Sequence, residues 1–227
     1  MYSVDCIVAS PLLRTLYTAL HVFEELLRFK SDLHIIAIPE LQETSDLPCD
    51  IGSPVEELEK EFEGKPVDFS LVSAGWTDKV TGMFTPQSDH IAARCRKARH
   101  FLAGLQAKHV AVVAHGAVLH YLTDDWYGAT SGIGRQQHAC LEHRTDASVG
   151  TGWYNCEARI YRFDTSTGSS IVNASIVEIN NSWKKTLTEC RFSEEQQLDM
   201  KKEAEASWAA DGYIMLSDTR AEDSLEE

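Results

Sequence analysis

The chain of 227 residues lacks any apolar run near the ~18–20 residues that cross a bilayer, which excludes a membrane-spanning helix. It also lacks a Cys-x-x-Cys pair. Its six cysteines, Cys6, Cys49, Cys95, Cys140, Cys156 and Cys190, are scattered and several sit in apolar or helical runs. That pattern reads as reduced thiols in a cytosolic protein. The N-terminus, Met-Tyr-Ser-Val-Asp, has neither the charged region nor the cleavage site of a signal peptide, so a cytoplasmic protein without a membrane partner is expected. Positive charge is scarce: 21 Lys and Arg stand against 35 Asp and Glu, a net charge of −14. This argues against nucleic acid, whose phosphates require a basic surface. Part of the acidity is local, since 217–227 holds Asp218, Glu222, Asp223, Glu226 and Glu227 against Arg220 alone. Such a tail reads as solvated and disordered. No internal repeat is visible.

Hydrophobic residues make up 43% of the chain, and its length suits one sizeable domain. The stretch around which the rest is organised is Lys108 to Leu122. Val110 to Ala114 is a small and β-branched apolar run, as in a strand buried on both faces. His115-Gly116 breaks it, and Ala117 to Leu122 can open a helix. This order puts His115 at the carboxyl edge of a parallel sheet, where open α/β sheets bind ligands. The helix N-terminus behind it offers N–H groups that suit an anion.

An earlier strand, Cys6 to Ala9, ends at Ser10-Pro11, read as N-cap and first residue of a helix reaching about Arg28. Arg14 falls in that first turn, where a cation is unfavourable unless an anion sits nearby. Leu33 to Ile38 forms a second strand, and Glu40 to Gly52 a long loop carrying Glu43. A short helix over 55–62 follows, and 66–83 is irregular, either a lid or a plain connector. The helix from Ser88 to about Gln106 shows an apolar stripe of Ile91, Cys95, Ala98, Phe101 and Leu102. Its basic residues Arg94, Arg96, Lys97 and Arg99 read as a solvated face. A polar insertion spans 128–152. His138, Cys140 and His143 within it match no closed zinc pattern. The stretches 152–163 and 170–179 read as a hairpin, with Asn155 and Glu157 on one face of its first strand, and 192–210 as an amphipathic helix. Trp126 and Trp153 are expected in the core. Strand–helix alternation of this kind predicts an α/β fold with a largely parallel sheet flanked by helices. The domain is placed at 1–190, with the C-terminal helix and acidic tail at 191–227.

Arg14, Glu43 and His115 thus fall at candidate strand ends, and together they suit phosphoryl chemistry. Arginine presents a planar fork to phosphate oxygens. Histidine can stabilise charge on a phosphoryl oxygen, and a loop carboxylate can protonate a leaving alcohol. Ser10-Pro11-Leu12-Leu13-Arg14, with Thr18-Ala19 after it, resembles the Ser-Pro-Leu-x-Arg block of the histidine phosphatase superfamily, the phosphoglycerate mutase-like proteins. Leu41-Gln42-Glu43 resembles the Leu-x-Glu segment of that family, and Val112-Val113-Ala114-His115-Gly116 its late His-Gly block. The segments Leu47-Pro48-Cys49-Asp50, His120 to Trp126 and Gly152-Trp153-x-Asn155-x-Glu157 resemble a fungal subgroup.

By that resemblance Arg14 and His115 bind phosphate, His115 is the second, non-nucleophilic catalytic histidine, and Glu43 is the catalytic acid/base. The resemblance implies phosphomonoester hydrolysis or phosphoryl transfer through a phosphohistidine, a small phosphorylated metabolite or phosphate as partner, and neither metal nor organic cofactor. It leaves the oligomeric state open. The sequence departs from the family at one block: it contains no Arg-His-Gly, the motif that carries the nucleophile at the end of a first, central strand beside the His115 strand. Three readings stay open: a truncated product, a pseudoenzyme that keeps a phosphate pocket, or another histidine in the role. For the last, His21 and His34 lie far from the strand ends and His120 lies further along the His115 helix. Loss of that strand is expected to leave unpaired backbone groups mid-sheet.

Overall fold

The computed structural model describes residues 4–129, 153, 155–163, 175–179 and 192–217. Among them a parallel sheet is built from β1 (Cys6–Ala9), β2 (Ile35–Ala37), β3 (Val67–Asp68) and β4 (Val110–Val113), in the order β3-β2-β1-β4. The connecting helices are α1 (Leu13–Val22), α2 (Glu24–Phe29), α3 (Val55–Glu61) and α4 (Ser88–Gly104). After β4 come α5 (Gly116–Thr123), the antiparallel pair β5 (Tyr161–Phe163) and β6 (Ile176–Glu178), and α6 (Glu194–Ala210). The fold is therefore α/β, with a largely parallel, helix-flanked sheet, as the alternation predicts.

Strand geometry divides the core in two. Successive residues of β1 point to opposite faces. Cys6 and Val8 join Ile91, Cys95 and Ala98 of α4, Val118 and Tyr121 of α5, and Ala204 and Trp208 of α6. Ile7 and Ala9 join Leu16 and Ala19 of α1, Leu58 of α3, and Trp76. Trp76 is 1% exposed, and its indole N–H donates to the Ser53 carbonyl at 3.1 Å. The 66–83 segment, expected to be irregular, contributes β3 and packs into the core at Trp76. Gly52 fits against the Trp76 ring so closely that an added Cβ would lie 1.9 Å from a ring carbon. No described helix is long and apolar enough to cross a membrane.

The structure corrects several expectations. β1 pairs with β4 directly, Cys6–Ala9 against Val110–Val113 in parallel register. The Ser10 N–H continues that ladder to the Val113 carbonyl at 3.0 Å. β1 satisfies the backbone groups along one edge of β4; along the other edge no strand pairs with β4 among the described residues, as expected from the loss of the central strand. β4 has one neighbouring strand among the described residues and is half-buried along its length, where burial on both faces was expected.

The first helix is two, parted at Phe23, and Leu12 is the N-cap of α1 while Ser10 turns inward. The basic residues of α4 are not all solvated: Arg94 and Arg99 are buried. Arg99 donates to the carbonyls of Tyr121 and Leu122 at 2.9 and 3.1 Å. Residues 155–160 are not strand. Asn155 is exposed in a turn with Cys156 at φ 60°, and Glu157 instead accepts from Arg159 at 2.8 Å. Trp126 lies in the core as expected, 2% exposed, and Trp153 is covered by the Arg159 guanidinium at 3.6 Å. His138, Cys140 and His143, the hairpin turn and the acidic tail lie outside the described residues.

Candidate functional site

β1 and β4 are adjacent and parallel, so their carboxyl ends deliver Ser10 and His115 to the same edge. α1 starts just beyond Ser10 and carries Arg14 in its first turn. The Arg14 Nε–H donates to His115 Nδ1 at 3.0 Å. A guanidinium N–H can only donate, so Nδ1 must be the unprotonated nitrogen of the ring. The proton of neutral His115 is then on Nε2, which donates to Ser10 Oγ at 2.9 Å. Burial first, and the neighbouring Arg14 charge second, push the imidazole well below its ordinary pKa. His115 is therefore a neutral ring with one fixed tautomer, and both of its nitrogens are engaged.

Glu43 reaches the same edge from the loop after β2. One carboxylate oxygen accepts the N–H groups of Thr44 and Val118, both at 3.0 Å, and the other accepts that of Ala117 at 3.4 Å. Ala117 and Val118 open α5, whose N-cap, His115, makes no side-chain cap of its own. The Glu43 carboxylate occupies the helix N-terminus where the sequence suggested an incoming anion. Burial, and then the nearby Asp50, raise the Glu43 pKa in spite of these three bonds. Such a carboxyl retains a proton more readily than an exposed one.

Arg94 explains how Glu43 comes to be placed there. Its guanidinium, fully buried, donates to the carbonyls of Glu40, Gln42 and Glu43 at 2.7, 2.6 and 3.1 Å. Lys79 adds a second clamp, donating to the Glu43 carbonyl at 3.0 Å. Lys79 is 6% exposed, and burial, followed by the Arg94 charge, depresses its pKa to about 7.

Asp50 is the other residue that composition alone does not reveal. Its carboxylate receives Arg14 Nη2 at 2.8 Å and the Ser45 hydroxyl at 2.5 Å. The edge therefore gathers Arg14, His115 and Glu43, as the sequence predicts, together with Ser10, Asp50, Lys79 and Arg94. Arg94 had a legible signal: it lies three residues after Ile91 and four before Ala98, on the apolar stripe itself. Ser10 reads locally as a helix cap, and nothing local distinguishes Lys79.

The histidine phosphatase superfamily (branch 1) model matches residues 2–149. The chain belongs to the histidine phosphatase superfamily. No curated protein matches it at a significant level. The matched span of this histidine phosphatase superfamily member contains Ser10, Arg14, Glu43, Asp50, Lys79, Arg94 and His115, and so the whole of the edge described above. Three other described histidines have partners of their own. His120 is buried against Trp126 and bonded to the Asp125 carbonyl, His90 bonds Thr85 at 2.6 Å, and His34 faces the Asp32 carbonyl at 3.0 Å.

Proposed function

We propose that this chain binds the phosphoryl group of a small phosphorylated metabolite, or free phosphate, at the carboxyl ends of β1 and β4, and that these 227 residues do so without turnover. The observation that carries the reading is the direct Arg14–His115 pairing at that edge, with Glu43 over the start of α5. Arg14 supplies a fixed positive charge and planar donors for phosphoryl oxygens. The Nε2–H of His115 is a further donor once it leaves Ser10. Glu43, with its raised pKa, is the acid/base of the family's chemistry, phosphomonoester hydrolysis or phosphoryl transfer. Neither metal nor organic cofactor enters this reading.

The absence of turnover follows from the nucleophile. Attack on phosphorus needs a free lone pair aligned with the leaving group. The one unprotonated nitrogen of His115 accepts from Arg14, and its other nitrogen carries the proton. The sequence holds no Arg-His-Gly to supply another.

Calorimetric titration with orthovanadate, beside a p-nitrophenyl phosphate assay, tests both parts. Binding that is lost in Arg14→Gln, with no hydrolysis, is the expected result. Hydrolysis that disappears in His115→Ala would show the chain to be a phosphatase as it stands. Absence of any oxyanion binding would end the phosphoryl reading.

A further inference from the structure

Both features that would draw an anion to this edge are already satisfied from within the chain. Glu43 fills the N-terminus of α5. At Arg14, Nη2 meets the Asp50 carboxylate at 2.8 Å while Nη1 meets the Cys49 carbonyl at 2.5 Å. Asp50 is well held in this position. Its second oxygen accepts from Ser45 at 2.5 Å, its N–H donates to the Leu47 carbonyl at 2.8 Å, and the residue is 7% exposed. Arg14 differs: its side chain is 45% exposed, so a solute reaches the guanidinium from the open side.

We propose that Asp50 is a resident anion that competes with the ligand's phosphoryl group for Arg14, so that binding opens the Arg14–Asp50 ion pair. This rests on the phosphoryl-binding reading and adds the group that limits it. A phosphoryl dianion on Arg14 with Asp50 still in place would set like charges side by side, and the nearby Glu43 would add to the repulsion. The pair itself is easily broken, because one partner is half exposed and water replaces its hydrogen bond. Asp50 lies at the end of a stretch, 46–49, whose residues are all exposed, so its outward movement disturbs little packing. Ser45 is the catch: its hydroxyl holds the carboxylate from the buried side.

The opposing reading makes Asp50 a positioning residue that orients Arg14 for the ligand. The two differ in sign. Titration of the full chain with inorganic phosphate, for wild type, Asp50→Asn and Ser45→Ala, separates them. Competition predicts that Asp50→Asn binds phosphate on the order of tenfold more tightly, and that Ser45→Ala shifts affinity in the same direction by less. Ser45→Ala carries the test if Asp50→Asn fails to fold, which thermal melting reports. Equal or weaker binding by a folded variant overturns the competition while leaving the phosphoryl pocket intact. No phosphate binding by any of the three forms overturns the pocket reading and this proposal with it.

Discussion

At the scale of single residues, His115 shows how neighbours decide what an ionisable group does. Its ring is enclosed, faces the Arg14 charge, and stays neutral in the folded chain. Its folded pKa lies well below the ordinary value of 6.5, so the unfolded chain takes up a proton near that pH and the folded chain does not. Stability therefore falls as pH drops below about 6.5. Denaturant titrations between about pH 7 and pH 5 should show this slope, and His115→Gln should flatten it. An unchanged slope in that variant would contradict the assignment of a neutral His115. The position of His115 was legible in the strand–His–Gly pattern. Its tautomer was not, because that depends on Arg14 and Ser10, which lie 101 and 105 residues away in the chain.

At the scale of elements, the start of α5 is completed by another part of the chain. A helix leaves its first N–H groups without partners, and an N-cap side chain ordinarily serves them. Here Glu43, 74 and 75 residues earlier, bonds Ala117 and Val118. Glu43→Ala should therefore cost about 1–3 kcal/mol of stability, measured by chemical denaturation, because two buried N–H groups lose their acceptor. Glu43→Gln keeps an acceptor and should cost less. Equal losses in the two variants would show that the cap contributes nothing. The same element-level logic explains α4. Its apolar stripe is readable in the sequence, whereas Arg94 and Arg99 on that stripe read there as a solvated face. They are buried because carbonyl oxygens of the loop over 40–43 and of the end of α5 surround their guanidinium groups. Burying a cation is costly unless such acceptors meet it.

At the scale of the whole molecule, the C-terminal helix is part of the core. α6 opens with a capping box, Ser193 and Gln196 each bonding the other's backbone N–H. It brings Ala204 and Trp208 to the face of the sheet covered by α4 and α5. Trp208 is 6% exposed and sits 5.9 Å from the Trp126 ring, with His120 at 6.0 Å and Tyr121 at 6.4 Å. Beyond the helix, Met215 bridges to Gln87 at the start of α4. Trp208→Ala should remove about 3–5 kcal/mol of stability through the lost ring and the cavity it leaves. Guanidinium unfolding checks this; a loss under about 1 kcal/mol would mean that α6 lies loosely on the fold.

The sequence by itself determined the alternation of strands and helices, the apolar stripes of the helices, and the placing of Arg14, Glu43 and His115 after strands. Those features are local: hydrophobic periodicity and turn residues act over a few positions. Only the tertiary structure decided that β1 lies directly beside β4, that Glu43 caps α5, and that Asp50 holds Arg14. Each of these joins residues far apart in the chain, and the partner of a buried charge is set by where the loops converge.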